Sequence, residues 1–134
     1  MEKYRITTEQ TEFELDTIHG YLTQSYWAKG ITKQTVQRSI ENSLCFAVIK
    51  NTEELVGFAR VITDKATFAY LADVFIVEEE QGQGLGKKLI SFILAHPELQ
   101  GLRRFALATK DAHGLYSQFG FQPIGKPENL MQIC

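Results

Sequence analysis

Three glycines alternate through Gln81-Gly82-Gln83-Gly84-Leu85-Gly86-Lys87, between an apolar run and a helix-like segment. Glycine lets backbone amides approach a ligand closely, and the amides opening a helix favour an anion. A strand, a glycine turn and a helix in that order suit a pyrophosphate. Two common phosphate loops nevertheless fail on spacing. A dinucleotide fingerprint begun at Gly82 requires glycine where the chain has Lys87. A nucleoside-triphosphate loop ending in Gly86-Lys87 requires glycine in place of Gln81 and Ser or Thr in place of Lys88. Lys87 either adds charge to the anion site or belongs to a solvated first helical turn.

Two further sets of residues could do chemistry. Asp73 lies inside the apolar run Tyr70-Leu71-Ala72-Asp73-Val74-Phe75-Ile76-Val77, where an acid must be paired, open to a cleft, or neutral. It is a candidate to anchor an ammonium or remove its proton, and the competing reading is a structural ion pair with Arg60. Tyr26 and Trp27 could line an apolar or cation-binding pocket, since aromatic faces attract ammonium groups, or could plug the core. Convergence of Asp64, Asp73, Tyr26 and Trp27 would favour a small amine. Glu78, Glu79 and Glu80 read as a solvated loop face. Cys45 reads as a small core residue, and His19, His96 and His113 show no metal spacing, so no metal is expected.

The elements that must position these residues follow from periodicity. Tyr4 to Glu9 alternates as a first strand, and Thr11 is placed to cap a helix running on to Leu22. A second helix begins at Thr32, with Val36 and Ile40 on one stripe. Two β-rich runs, 44–50 and 55–64, flank the turn residues 51–54, and a third run, 67–77, completes an antiparallel meander that delivers the chain to the glycine loop. A helix from Leu85 stops near Pro97, and the next strand, 103–109, is reached through that one helix, which makes it a parallel neighbour of the third run. A short helix ends at Gly120, and the segments 121–125 and 129–134 are expected to add closing strands.

At 134 residues the chain is long enough to bury a core without disulfides, and one domain spanning 1–134 is expected. Its 14 basic and 16 acidic residues give a net charge of -2, which supplies no overall basic field for nucleic acid. Met1, Glu2, Lys3 and Arg5 open no apolar leader and no segment is long enough to span a bilayer, so a soluble, cytoplasmic protein without a membrane partner is expected.

The glycine stretch resembles the Gln/Arg-x-x-Gly-x-Gly/Ala signature of the GCN5-related N-acetyltransferase superfamily. Ala112-His113-Gly114-Leu115-Tyr116-Ser117-Gln118-Phe119-Gly120-Phe121 is similar to that family's later motif. The two occur in the family's order, so the resemblance covers at least Leu71 to Ile124. It implies a mixed α/β fold: an antiparallel meander, then a splayed parallel strand pair with flanking helices. It further implies that acetyl-CoA is the co-substrate, with the backbone of Val74, Phe75 and Ile76 pairing with its pantetheine arm. The amides of Gln81, Gly82, Gln83, Gly84, Leu85, Gly86 and Lys87 would then hold its pyrophosphate. Thr109 stands where many relatives carry a cofactor-touching asparagine, and is given no firm role.

The resemblance also casts Tyr116 as the general acid. A tyrosine of pKa about 10 stays protonated at neutral pH and can give its proton to a thiolate of pKa about 8.5. Asp73 is the candidate base or ammonium anchor, and Tyr26 and Trp27 the acceptor wall. The expected activity is acetyl transfer from acetyl-CoA to a primary amine, a small molecule in the favoured reading, by direct attack in a ternary complex. A protein lysine or N-terminus as acceptor, or a CoA-binding sensor without catalysis, are the alternatives. A homodimer is a further expectation, because the segment after Phe121 often governs association in such folds.

Overall fold

The computed structural model describes residues 3–134. Met1 and Glu2, on which part of the leader argument rests, lie outside the described residues. Five strands form one sheet in the order β1 (Tyr4–Thr7), β2 (Leu44–Lys50), β3 (Leu55–Thr63), β4 (Phe68–Ile76) and β5 (Arg104–Leu107). The first four are antiparallel neighbours, and β5 lies parallel to β4. The fold is therefore the mixed α/β architecture expected. Among the described residues, no helix is long and apolar enough to cross a membrane.

Helices α1 (Leu15–Leu22) and α2 (Lys33–Glu41) cover one face of the sheet. Ile18, Leu22, Val36 and Ile40 pack there with Cys45, Ala47, Phe58 and Phe75. Helix α3 (Leu85–Leu94) covers the other face with Leu85, Leu89, Ile90 and Ile93, each worth about 1.5–3 kcal/mol when fully buried. Helix α4 (His113–Ser117) packs on this second face through Leu115 and Tyr116.

Two features of the sheet prepare the site. The first is a β-bulge in β4. Phe58 pairs with Phe75 and Arg60 with Ala72, so Ala59 alone faces both Asp73 and Val74. Asp73 takes the left-handed φ of 56°, which Asp adopts more readily than most non-glycine residues. The extra residue flips the side-chain alternation: Leu71 points into the α3 face and Phe75, four residues on, into the α1/α2 face. The second feature is the short parallel pairing. It runs only from Phe68 with Arg104 to Leu71 with Leu107, so the edge of β4 from Ala72 to Ile76 has no strand partner on the β5 side.

Three expectations are corrected. Thr11 caps no helix: 10–12 form a single 3-10 turn and α1 starts only at Leu15. Phe13 breaks the run because it adopts an extended backbone and packs edge-on to Phe58, with ring centroids 5.9 Å apart. The expected closing strands are absent as well. From Phe121 onward no strand forms, and Pro123 and Pro127 each remove an amide that a ladder would need. The third concerns Glu80, which is buried. By contrast Thr32 caps α2 as expected, its hydroxyl accepting from the Thr35 amide at 3.2 Å.

Candidate active site

The chain leaves β4 at Ile76, makes a 3-10 turn through Glu78–Glu80, and enters the glycine loop. Gly82 and Gly84 hold φ of 82° and 80°, a region where a Cβ is strained, and Gly84 is the residue from which α3 starts. No side chain caps α3, so its first amides are free to donate to an anion. A Cβ built on Gly82 or Gly84 would meet nothing within 4 Å, and one on Gly86 nothing nearer than the Leu115 side chain at 3.9 Å. The outer side of the loop is thus clear of protein, as a cradle for an anionic ligand requires.

Because the space beside Gly84 is open, the effect of Gly84→Ala is backbone strain alone. It should destabilise the protein by about 1 kcal/mol, with Gly84→Asn closer to wild type because Asn tolerates the left-handed region. Denaturant melts of the two variants check this ordering.

Two side-chain amides pin the loop. Gln81 Nε2 donates to the Ile76 carbonyl at 2.8 Å, at the end of β4. Gln83 is exposed but reaches back to the residue before the loop, its Nε2 lying 3.3 Å from Glu80 Oε1. Glu80 is itself buried, at 7 % exposure, and its carboxylate also receives Lys50 Nζ at 2.8 Å and the Tyr4 hydroxyl. Tyr4 and Lys50 are cross-strand partners at the β1–β2 edge. The expected solvated acidic face therefore holds for Glu78 and Glu79 and fails for Glu80. Periodicity could not reveal it, since its partners are 76 and 30 residues away.

Donation from Lys50 and Tyr4 pulls the Glu80 carboxyl down to about 2, against 4.5 ordinarily. A lowered folded-state value means its contribution to stability is complete above the unfolded value and fades as pH falls from about 4.5 towards 2. Wild type is accordingly expected to lose more stability over that interval than Glu80→Gln does, as read in parallel acid titrations of thermal midpoint.

On the α1/α2 side, each Asp73 oxygen accepts one hydrogen bond. Arg60 Nε donates to Oδ2 at 2.8 Å and Trp27 Nε1 to Oδ1 at 3.0 Å, with the Asp73 side chain 8 % exposed. Arg60 also reaches Ser43 Oγ at 3.3 Å. Trp27 stands edge-on to Tyr26, ring centroids 5.1 Å apart, and both rings are exposed, at 43 % and 55 %. They do not plug the core. The Tyr26 hydroxyl accepts from the Lys110 amide at 3.3 Å, which ties this loop to the segment between β5 and α4. Lys110 Nζ lies 5.4 Å from the Tyr26 ring centroid.

Asp64 does not join this group, so of the four residues whose convergence would favour a small amine only Asp73, Tyr26 and Trp27 meet. It stays at the β3–β4 turn, accepting from the amides of Ala66, Thr67 and Phe68 and from the Thr67 hydroxyl, donors that hold its carboxyl well below the usual range.

Tyr116 is buried on α4, its ring edge-on to Phe121, and among the described residues its hydroxyl has no hydrogen-bond partner. Burial, with Tyr26 and Asp111 nearby, pushes its phenol above the ordinary value, so it holds its proton. Thr109 shapes the approach to α4, its hydroxyl accepting from the Ala112 amide at 3.0 Å. Cys45 is pushed up to about 12, chiefly by burial, and remains a thiol. Among the described residues no cluster of three or more His, Cys, Asp or Glu could hold a metal ion.

Sequence and fold comparisons agree with one another. The profile of the acetyltransferase (GNAT) family matches residues 6–121. A GNAT-family protein from Xanthomonas campestris pv. campestris is 47% identical and superposes with a TM-score of 0.96, over 100% of this chain and 94% of that one. A candidate acetyltransferase of Gibberella zeae is 28% identical over 86% of this chain and 76% of its own. At 13% identity, a GNAT acetyltransferase from Elizabethkingia anophelis with acetyl-CoA bound shares the fold, with a TM-score of 0.69 over 91% of this chain and 78% of that one.

Proposed function

This chain belongs to the acetyltransferase (GNAT) family, and we propose that it moves an acetyl group from acetyl-CoA to a primary amine of a small molecule. The observation that carries this reading is the parting of β4 and β5 after Leu71 and Leu107. It leaves a free strand edge that runs straight into an open glycine turn and an uncapped helix. In this reading the backbone of Val74, Phe75 and Ile76 pairs with the pantetheine arm as an added strand, and the amides of Gly82–Lys87 donate to the pyrophosphate, whereas the expected Gln81 amide is taken up by the Glu78 carbonyl at 3.3 Å. The free β4 edge also supplies amides for the oxyanion.

The amine nitrogen attacks the thioester carbonyl carbon and forms a C–N bond. Collapse of the tetrahedral adduct breaks the C–S bond, and the departing thiolate takes the Tyr116 phenolic proton. Tyr26 and Trp27 form the acceptor wall, with Asp73 behind it. Both Asp73 oxygens are already held, Oδ2 by Arg60 and Oδ1 by the Trp27 indole, so orienting the acceptor suits it better than deprotonating it directly. Each oxygen keeps a lone pair for a substrate N–H. The acceptor ammonium gives one proton to water in the open cleft before its nitrogen attacks, the adduct nitrogen gives up a second, and the Tyr116 phenolate is reprotonated from water after the thiol leaves.

The test is thiol release from acetyl-CoA against a panel of small primary amines and peptides, with an acceptor-free control. Turnover with a small amine supports the reading. Turnover confined to peptides would move the acceptor class to proteins, and failure to bind CoA would remove the co-substrate assignment.

A further inference from the structure

Resting on the assignment of the glycine loop to the pyrophosphate, we infer that Glu80, through Gln83 and with Lys50 as its counter-charge, is a positioning residue that sets the loop's amides for the co-substrate. The residue sits one position before the loop, with its carboxylate turned into the protein. Its three donors come from three separate places: Tyr4 on β1, Lys50 at the end of β2, and Gln83 inside the loop. Gln83 lies between the two left-handed glycines. Its side chain, though exposed to solvent, reaches back to Glu80 through Nε2, and the Tyr4 hydroxyl is also 3.1 Å from its Oε1. Glycine flanks would otherwise let this peptide rotate freely, and the clamp removes that freedom before a ligand arrives.

Charge makes Lys50 part of the device. A buried carboxylate beneath a site for a dianionic group repels the ligand unless a cation neutralises it, and the Lys50 ammonium at 2.8 Å does so. The net charge presented below the loop is then close to zero. Removing Lys50 alone leaves the repulsive partner in place, whereas removing both charges abolishes the repulsion but not the need for a clamp.

The experiment combines amide hydrogen exchange of the ligand-free protein with calorimetric CoA titration, on wild type, Glu80→Gln, Glu80→Ala, Lys50→Met and the Glu80→Gln/Lys50→Met double variant. Faster exchange confined to 81–87 is expected in both Glu80 variants, with the rest of the sheet unchanged. CoA dissociation constants should rise about tenfold in Glu80→Ala, the size of one lost charged hydrogen bond. Lys50→Met should weaken CoA at least as much, and the double variant should recover part of that loss. A role confined to packing gives no such recovery. Unchanged exchange and unchanged CoA affinity, or exchange accelerated evenly over the sheet, overturns the inference while CoA binding by wild type upholds the site. Wild type that fails to bind CoA overturns the cofactor assignment, and this inference with it.

Discussion

Tyr116→Phe is expected to lower the turnover number by about a hundredfold or more, the usual size of a lost general acid, with little change in CoA affinity. The ring stays, so its edge-on packing against Phe121 and the burial of α4 are kept, and only the proton is lost. That separation makes the variant informative. If Tyr116 only packs, Phe is close to neutral for activity. If it donates the proton, kcat falls while the thermal midpoint holds. The pH profile adds a second reading. Since burial raises the phenol above its ordinary value, loss of the acid form should set no limit near neutral pH. The acid limb of wild type then reports on the acceptor's own ammonium, and should persist in the variant. A Tyr116→Phe enzyme with wild-type kcat would sink the acid role.

The second large effect is on stability. Asp73→Ala should cost about 3 kcal/mol, because it strands a largely buried Arg60 guanidinium and leaves the Trp27 indole without its acceptor. It also places alanine at a φ of 56°, adding strain. Asp73→Asn should cost less, since its carbonyl can still accept from Trp27 and Asn tolerates that backbone. Urea denaturation orders the three proteins, and equal midpoints would show that the pair is not worth its burial. With an acceptor in hand, the Asn variant separates two roles: an ammonium anchor raises KM for the amine, whereas a base lowers kcat and shifts the acid limb.

Both predictions depend on contacts of different origin. The short helix that carries Tyr116 was legible in the sequence, whereas the acid role given to Tyr116 comes from the resemblance of its motif to the family's. The companion of Asp73 was legible only as an alternative: an acid in an apolar run requires some partner, and Arg60 lay on the adjoining strand. The indole that takes the other oxygen belongs to a loop 46 residues away, and no local pattern marks that meeting. Sequence periodicity also treated 67–77 as one straight strand. The bulge at Asp73 depends on how β3 and β4 settle their registers, a decision made by packing on two faces at once.

What the sequence by itself determined is therefore the local and repetitive part: the meander, the Thr32 cap, the glycine turn and α3, and the order of two motifs. Each is encoded within a few residues, where dihedral preference and apolar spacing act directly. It also pointed, wrongly, to a helix from Thr11, where packing of Phe13 on Phe58 holds an extended backbone, and to strands after Phe121, where two prolines remove ladder donors. Only the tertiary structure decided that β4 and β5 part after four pairs, that Tyr26 and Trp27 stand exposed against Asp73, and that Glu80 is buried between Tyr4, Lys50 and Gln83. The physical reason is common to all three. A buried charge is tolerated only where partners from distant segments arrive together, and a strand edge opens only where its neighbour turns away; both are properties of the packed sheet.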